Sequence, residues 1–467
     1  MLRKNDEITV TVKSCTALGS GVASFEGMTV FVRGAAAGDR LLVHIIKVKK
    51  TYAVGIIKKI LQRSPDRIAP ECPVSDRCGG CSFAHISYGA ELEIKQTQVA
   101  ENFRRIAKLD VETDPIIPSP SHSRYRNKAQ YPVRSDDGIP VTGFYAPMTH
   151  RIVECRDCML HPESFGRISA VFMDWMTDNG ISAYDEKDHS GLVRHLYIRK
   201  GFASGELMVC VVATADRLPR SDALVEALTG EFPSIGSIIL NINREDTNVV
   251  LGSEYKLLYG RAFIRDALCG LDFEISPQSF YQINHAAAEI LYSRAEALAD
   301  LRGEDTLLDL YCGTGTIGLT MAKKVKRLIG VEIVERAVDN AKRNAELNGI
   351  NNAEFICADA AQAARRLRSE GIKPDVIILD PPRKGCSPEL PGIIADMSPD
   401  RIVYVSCDSA TLARDCAAFD SLGYGVRRVT PVDLFPRTGN VETVALLHRK
   451  DTNETTAVTR NGGKSIE

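Results

Sequence analysis

The segment TLLDLYCGTGTIG, residues 306–318, decides the fold of the carboxyl-terminal part of this chain. Its first five residues are mostly apolar and predict a buried strand, and the glycine-rich run predicts a tight turn into a helix. A second apolar stretch, residues 327–331, ends at Glu332. Strand and helix patterns alternate from 271 to 448, which is typical of a parallel sheet covered by helices on both faces. We therefore predict a Rossmann-like α/β domain over residues 271–448.

The glycine loop and the acid after the next strand predict a cofactor site. Glycines let a ligand approach the backbone closely, and Glu332 would accept hydrogen bonds from ribose hydroxyls. This pattern also suits a nicotinamide-dependent oxidoreductase. The Asp380-Pro381-Pro382 stretch resembles the signature by which some methyltransferases hold an amine, but Arg383 stands where an aromatic residue is usual. Methylation of a carbon atom, which requires nucleophilic activation, therefore fits better than methylation of an amine.

Cys407 is the candidate nucleophile. It follows the apolar stretch Arg401–Val405 and precedes a helical pattern that begins near Ala410. A helix amino terminus favours thiolate over thiol, so we expect Cys407 to be activated there. The alternative is a buried cysteine that acts as a small apolar residue.

Composition indicates a globular protein of about three domains, because 467 residues contain 44% hydrophobic and 25% charged residues. No apolar run reaches the roughly 18 residues that a membrane helix needs, and the first residues show no export signal. The 13 cysteines are unevenly spaced, which favours a reducing compartment. We expect a cytoplasmic protein without membrane contact.

The first 62 residues predict a small barrel that binds a polyanion. Four apolar strand patterns are separated by glycines, and together with a fifth strand they suit a closed barrel of the OB type. Residues 1–60 carry ten Lys or Arg and four Asp or Glu, a balance of +6 on a chain whose net charge is −2. A basic barrel of this kind suits single-stranded nucleic acid.

The middle of the chain, residues 63–270, predicts an α+β domain with a cysteine cluster. Cys72, Cys78 and Cys81 lie in one loop, and a fourth thiol follows at Cys155 or Cys158. Such clustering argues for an iron–sulfur cluster or a structural zinc, and spacing alone does not choose between them. Residues 90–108 have helical periodicity, and we expect this helix to pack on the catalytic domain. The polar tail, residues 449–467, is predicted to be disordered.

Taken together, these motifs resemble those of the RNA uracil-5-methyltransferases. The resemblance is to the branch that has a TRAM domain and a [4Fe-4S] cluster and modifies 23S ribosomal RNA, and it extends from residue 1 to about 448. It implies a multidomain fold: an amino-terminal OB-type TRAM barrel, a central α+β domain with the iron–sulfur cluster, and a carboxyl-terminal α/β methyltransferase domain.

The resemblance also implies residue roles. It assigns the cluster to Cys72, Cys78, Cys81 and Cys158. It assigns S-adenosylmethionine binding to Gln282, Tyr311, Glu332 and Asp380, the nucleophile to Cys407 and the base to Glu442. The chain departs from the family at Ser409, where Pro is frequent, and at Asn440, where His is common.

The implied reaction methylates carbon 5 of a uridine after Cys407 has added to carbon 6. The target uridine must be single-stranded or flipped out of its helix. We expect the protein to act as a monomer on RNA. Two alternatives are a uracil-5-methyltransferase that acts on transfer RNA and a non-catalytic RNA-binding iron–sulfur protein.

Overall fold

The first five strands of the chain close into a barrel. A computed structural model describes residues 2–450. In the barrel β1 pairs with β2 and β4, and β3 pairs in parallel with β5. Alternate side chains of these strands are buried and form one apolar core. The predicted five-stranded barrel is confirmed. Its strands are β1 (Glu7–Cys15), β2 (Ser20–Phe25), β3 (Met28–Arg33), β4 (Arg40–Val48) and β5 (Tyr52–Gln62).

A helix links the barrel to the carboxyl-terminal sheet. Helix α1 (Tyr88–Asn102) begins at Ser87, whose hydroxyl accepts a hydrogen bond from the Ala90 N–H at 3.3 Å. It continues as a π-helical turn, Phe103–Ala107. Val99 and Phe103 are fully buried in the apolar core on one face of the carboxyl-terminal sheet. The helix therefore packs on that sheet.

The central part of the chain forms a seven-stranded mixed sheet in the order β12-β11-β10-β9-β6-β7-β8. Only β10 and β11 are parallel to each other in it. Helices α2 and α3 cover one face, where Phe165, Phe172 and Leu224 are buried. The elements are β6 (Lys128–Asp136), β7 (Ile139–Tyr145), β8 (Ile152–Glu154), α2 (Glu163–Asp178), β9 (Val193–Lys200), β10 (Leu207–Ala213), α3 (Ser221–Glu231), β11 (Ile235–Ile242) and β12 (Glu254–Gly260).

A hairpin spans the domain boundary predicted at residue 270. Strands β13 (Ile264–Leu268) and β14 (Leu271–Ile275) pair with each other in antiparallel fashion. Their buried side chains belong to an apolar core that the carboxyl-terminal sheet shares with residues of β9, β10 and β11. The predicted boundary falls in the turn between the two strands of this hairpin.

The carboxyl-terminal sheet has seven strands in the order β17-β16-β15-β18-β19-β21-β20. The first five strands in that order run parallel, and β21 is antiparallel to both its neighbours. This confirms the predicted Rossmann-like fold. The elements are α4 (His285–Ala299), β15 (Thr306–Leu310), α5 (Thr316–Met321), β16 (Arg327–Glu332), α6 (Glu335–Leu347), β17 (Ala353–Cys357), α7 (Ala360–Ser369), β18 (Val376–Leu379), α8 (Leu390–Met397), β19 (Arg401–Ser406), α9 (Ser409–Ser421), β20 (Tyr424–Val432) and β21 (Glu442–Arg449).

The chain order reverses between β15 and β18, so a crevice opens outside their carboxyl ends. Ligands of open α/β sheets bind at such a switch point. Strand β21 runs in the opposite direction, so its first residue lies at the same edge of the sheet as the last residues of the parallel strands. The fold thus collects residues from distant parts of the sequence at one edge.

The first two residues of the predicted carboxyl-terminal tail have defined positions. Arg449 ends β21, and the N–H of Lys450 donates to the Gly423 carbonyl at 2.7 Å, so these two residues of the predicted tail are ordered. Residues 451–467 lie outside the described residues.

Among residues 2–450, none of the helices combines the length and apolarity needed to cross a membrane.

Candidate active site

The loop after β15 makes a tight turn at the switch point. Tyr311, Gly313 and Gly315 all have positive φ, of 69°, 56° and 82°. A side chain at Gly315 would come within 2.9 Å of Leu319 Cδ1, so the turn into α5 requires glycine there. The Asp309 Oδ2 atom accepts from the Gly318 N–H at 2.9 Å and ties the strand to the start of this helix.

Glu332 lies beside this loop, as the sequence predicted. Its Oε2 atom accepts from the Gly313 N–H at 3.2 Å, and its Oε1 atom accepts from the Val334 N–H at 2.9 Å. Two backbone donors therefore fix the carboxylate at the end of β16. This places an acceptor next to the glycine loop, where a ribose would lie. Tyr311 also belongs to this loop, and burial raises the pKa of its hydroxyl.

Buried carboxyl groups converge behind the loop. Burial raises the pKa of Asp380 to about 7. Burial, together with the charge of Asp380, raises the pKa of Asp309 to about 8. Asp309 is fully buried, and its Oδ1 atom has no hydrogen-bond partner. Burial keeps these acids partly protonated, and a cation bound beside them would stabilise their ionised forms.

Gln282 lies near the Tyr292 hydroxyl, which also interacts with the charge of Asp380. Burial raises the pKa of the Tyr292 hydroxyl, hydrogen bonds with Thr316 and Gln282 lower it, and the charge of Asp380 raises it. The Tyr292 hydroxyl lies 3.0 Å from Thr316 Oγ1. The Gln282 backbone carbonyl accepts from Asn127 Nδ2 at 2.7 Å, so the central sheet holds this residue in place. Gln282 and Asp380 therefore line one site.

Cys407 lies where the sequence placed it, between the end of β19 and the start of α9. Burial first, and then the Glu442 carboxylate, raise the pKa of Cys407 to about 11, which opposes the activation expected at a helix start. At that start the Asp408 carboxylate accepts from the N–H groups of Ala410 and Thr411 at 3.0 Å each and caps the helix.

Glu442 faces Cys407 from the neighbouring strand. Ser406 pairs with Thr443 in the β19–β21 register, so Glu442 and Cys407 are the next residues at the open edge. Glu442 is only 4% exposed. Burial and then the charge of Asp380 raise its pKa to about 8, while Arg383 lowers it. The nucleophile and the base that the resemblance implied therefore lie together.

Arg383 is a site residue that the sequence analysis treated only as a missing aromatic. Its positive charge lowers the pKa of both Cys407 and Glu442. Its Nη2 atom donates to Asn440 Oδ1 at 3.2 Å. Asn440 stands where the family commonly has His, and here it orients Arg383. Asp309, Tyr292 and Thr316 were also missed, although Asp309 and Thr316 lie within the segment that defined the strand and its turn.

The predicted cysteines line one cavity in the central part of the chain. Its volume is about 290 Å³. Arg126, Lys128 and His161 also border it. Within residues 2–450, no group of three or more His, Cys, Asp or Glu side chains is close enough to hold a single metal ion. The cysteines that line the cavity are Cys72, Cys78, Cys81, Cys155 and Cys158.

The two candidates for the fourth thiol lie close together. Interaction with Cys155 lowers the pKa of Cys158, whereas the pKa of Cys155 is raised by Cys158 and by burial.

Comparisons with known proteins agree with this geometry. Residues 246–450 match the family described as tRNA (Uracil-5-)-methyltransferase, and residues 2–58 match the TRAM domain. The chain is 40% identical over 446 residues to an uncharacterised RNA methyltransferase of Clostridium tetani, covering 96% of this chain and 97% of the relative. It is 41% identical over 451 residues to one of Halalkalibacterium halodurans, covering 96% and 98%.

One solved structure is similar over nearly the whole chain. It is the Pyrococcus abyssi tRNA (uracil-54, C5)-methyltransferase in complex with S-adenosyl-L-homocysteine. The TM-score is 0.76 and the identity is 28%, and the match covers 94% of this chain and 100% of the other. The similarity therefore includes most of the barrel and the central part as well as the carboxyl-terminal sheet.

Proposed function

Since the chain belongs to the RNA uracil-5-methyltransferase family and is an S-adenosylmethionine-dependent RNA methyltransferase with a TRAM domain, we propose that it methylates carbon 5 of a specific uridine in 23S ribosomal RNA. The methylation passes through a covalent bond between Cys407 and carbon 6. The observation that carries this proposal is the position of Cys407 and Glu442 on adjacent strands, beside Asp380 at the switch point.

The site suits a cationic cofactor. Asp309 and Asp380 are buried carboxyl groups with raised pKa values, and the Asp309 Oδ1 atom is unpartnered. Bound S-adenosylmethionine supplies a methyl group on a positively charged sulfur, and its ammonium group adds a second positive charge. Gln282, Tyr311, Glu332 and Asp380 would hold it, with Glu332 toward the ribose. Cationic charge next to these carboxyl groups lowers the cost of ionising them.

Cys407 starts the proposed reaction. Its thiolate, formed by release of the proton to solvent, adds to carbon 6 of the uracil, and the electrons of the C5–C6 double bond move into an enolate. Carbon 5 then forms a bond to the methyl carbon, and the bond between that carbon and its sulfur breaks. Positioning of the two reactants is the main contribution of the protein to this step.

Glu442 completes the reaction. Its carboxylate removes the proton from carbon 5, and the electron pair restores the C5–C6 double bond while the bond from carbon 6 to Cys407 breaks. A pKa of about 8 suits this role, because a base works best with a pKa near the operating pH. The positive charge of Arg383 stabilises both anions.

The four cysteines fit an iron–sulfur cluster. Cys72, Cys78, Cys81 and Cys158 border one cavity, and thiolates are the ligands that such clusters use. A cluster of four irons holds its ligands farther apart than a single ion does, which suits side chains that do not converge on one point. We propose that these residues hold a [4Fe-4S] cluster that joins the loop at 72–81 to the segment after β8. Iron and sulfide analysis of protein purified without oxygen tests this.

Transfer RNA is the second candidate substrate. The Pyrococcus abyssi enzyme acts on tRNA, and its similarity extends over 94% of this chain, so the fold alone does not separate the two substrates. We favour ribosomal RNA because the TRAM barrel and the cysteine cluster together resemble the 23S branch. The basic barrel would grip RNA on either substrate.

Covalent trapping tests both parts of the proposal. The protein and S-adenosylmethionine are mixed with 5-fluorouridine transcripts of 23S ribosomal RNA and, separately, of transfer RNA. Fluorine does not leave as a proton does, so a methylated adduct of Cys407 should persist on a denaturing gel. An adduct with 23S RNA that is absent in Cys407→Ala supports the proposal. An adduct with transfer RNA alone overturns the substrate, and no adduct with either overturns the nucleophile.

A further inference from the structure

The loop that leads into Glu442 is held by distant parts of the chain. This loop, residues 433–441, joins β20 to β21. Four successive carbonyls of it each accept a hydrogen bond from outside the loop. The pairs are Leu434 with Asn284 Nδ2 at 3.1 Å, Phe435 with Lys95 Nζ at 3.1 Å, Pro436 with the Tyr125 hydroxyl at 2.8 Å, and Arg437 with the Phe83 N–H at 3.2 Å. Lys95, Tyr125 and Phe83 belong to the central part of the chain and Asn284 to the carboxyl-terminal domain, so both parts determine the path of this loop.

Lys95 of α1 is the most deeply buried of these anchors. Its side chain is 0% exposed. Besides the Phe435 carbonyl, its Nζ atom donates to Glu91 Oε1 and to Asp433 Oδ1, each at 2.7 Å. The three N–H donors of the ammonium group thus meet three oxygens. The other oxygen of Asp433 accepts from the Tyr88 hydroxyl at 2.8 Å.

Glu91 holds the other half of the loop. Its Oε1 atom also accepts from the backbone N–H of Arg437 at 2.7 Å. Arg437 has φ of 68°, which is uncommon for a residue with a side chain. Its guanidinium donates to the Ile86 carbonyl at 3.1 Å. Such a conformation persists only where the surroundings enforce it, and here Glu91 and α1 do so.

These contacts bear directly on Glu442. Asp433 follows Val432, and Val432 is the residue directly opposite Glu442 in the β20–β21 register. Farther along, the Asn440 N–H donates to Thr438 Oγ1 at 3.3 Å, and Asn440 orients Arg383. Both sides of Glu442 are therefore tied to residues that Lys95 and Glu91 hold. A buried ion pair contributes little net stability, but breaking it leaves an uncompensated charge.

We propose that Lys95 and Glu91 are positioning residues for Glu442, which fix the loop 433–441 so that the carboxylate reaches the proton on carbon 5. This inference rests on the proposed function, in which Glu442 is the base. Neither residue touches the reacting atoms. Their effect should fall on proton removal and product release, and not on the addition of Cys407 to carbon 6.

The experiment separates these two steps in the full-length protein. The rate of adduct formation with 5-fluorouridine RNA reports addition and methyl transfer, because that trap never requires removal of a carbon-5 proton. The fraction of protein bound covalently to unmodified RNA at steady state reports slow proton removal. Glu442→Gln is the reference, Lys95→Met is the test, and Tyr125→Phe, which removes one hydrogen bond to the loop, is the milder second variant.

The matched control is Arg401→Met. Arg401 forms a similarly buried pair with Asp305, at 3.1 Å, with both side chains 8% exposed. Arg401 begins β19, so this pair lies at the edge of the sheet opposite to Cys407. Loss of the pair destabilises the same sheet without touching the loop 433–441. Melting temperatures of all variants measure the general cost of each substitution.

We expect Lys95→Met to slow product release about tenfold or more, the scale on which a misplaced group loses catalysis. The protein should accumulate adduct with unmodified RNA, as Glu442→Gln does, while 5-fluorouridine trapping stays within about twofold of wild type. Tyr125→Phe should shift in the same direction by less, and Arg401→Met should not accumulate adduct.

Two results overturn the inference. If trapping and turnover fall together in Lys95→Met and in Tyr125→Phe, as they do in Arg401→Met, the network only supports the fold. If neither Lys95→Met nor Tyr125→Phe changes either rate, the position of the loop does not depend on this network. If Glu442→Gln itself fails to accumulate adduct, the assignment of the base is wrong, and the proposed function fails separately from this inference.

Discussion

Neutralising Glu442 should make Cys407 easier to ionise. Burial and the Glu442 carboxylate raise the pKa of Cys407 to about 11, from an ordinary thiol value of 9.0. This difference corresponds to about 100-fold less thiolate at neutral pH. Glu442→Gln keeps the shape of the side chain and removes its negative charge, so the pKa of Cys407 should fall. Arg383→Gln removes a positive charge from the same pair, so the pKa should rise.

The assay is alkylation of Cys407 by iodoacetamide as a function of pH, read by mass spectrometry of the peptide that contains it. Cys357 is exposed and serves as the internal reference. For wild type, the logarithm of the rate should increase steadily between about pH 7 and 10, because the thiolate fraction gains tenfold per pH unit below the pKa. For Glu442→Gln the rate should be higher at the same pH, because the second-largest cause of the raised pKa is removed while burial remains. The two profiles should separate most above about pH 8, where Glu442 carries its charge.

Three results would refute this reasoning. A wild-type profile that levels off below pH 9 would show that the helix amino terminus activates the thiol despite the Asp408 cap. Identical profiles for wild type and Glu442→Gln would show that the two groups do not interact. Movement of the Arg383→Gln profile in the same direction as that of Glu442→Gln would contradict the assigned signs of charge.

Three further outcomes follow from the structure. Burial first, and then Asp380, raise the pKa of Asp309 from 3.8 to about 8, so between these pH values the folded protein keeps a proton that the unfolded chain loses, and its stability falls as pH rises. Asp309→Asn should therefore raise the melting temperature relative to wild type at pH 8 but not at about pH 4. An equal effect at both pH values would contradict this. Cys158→Ser should lose the iron that purified protein carries, while Cys155→Ser should retain it, as measured by iron analysis; the reverse would reassign the fourth ligand. Lys49 and Lys50 are exposed on the barrel. Replacing both with Ala should reduce the slope of log affinity against log salt concentration by about 1.4, at roughly 0.7 per phosphate contact on single-stranded RNA. An unchanged slope in filter binding would show that these two residues do not contact RNA.

The sequence predicted the carboxyl-terminal sheet well because its patterns are local. A strand that enters a glycine turn, as at residues 306–318, has few other solutions, and the glycines at 313 and 315 adopt positive φ as that turn requires. The ends of parallel strands share one edge, so Glu332, Asp380 and Cys407 could be placed together without knowledge of any side-chain contact. The five-stranded barrel followed in the same way from glycines between short strands.

What the sequence did not predict depends on long-range charge. The ionisation state of Cys407 is set by burial and by Glu442, Arg383 and Asp380, which approach it only in the folded sheet. The local signal, a cysteine at a helix start, pointed the other way because burial and these charges act only in the folded protein. Lys95 was similarly hidden: in sequence it is one polar residue of an amphipathic helix, but it is fully buried among Glu91, Asp433 and the Phe435 carbonyl. The pairing of β13 with β14 across the predicted boundary at residue 270 was also not visible in the sequence.

The charges of the site suggest how Glu442 could become basic at the right step, and this gives a last prediction. Glu442 shares its surroundings with Asp380, whose charge raises its pKa, and with Arg383, which lowers it. In the proposed reaction the sulfonium becomes a neutral sulfide when carbon 5 accepts the methyl group, and the enolate loses its negative charge in the same step. The enolate belongs to the uracil and the sulfonium to the cofactor, so the effect of the cofactor is measured without RNA: loss of the cation alone raises the pKa of a buried carboxyl group such as Glu442. Infrared titration of the Glu442 carboxyl, identified by its absence in Glu442→Gln, should give a higher pKa with S-adenosylhomocysteine than with S-adenosylmethionine. Equal values would show that the cofactor charge does not reach Glu442, and the timing of its basicity would then need another cause.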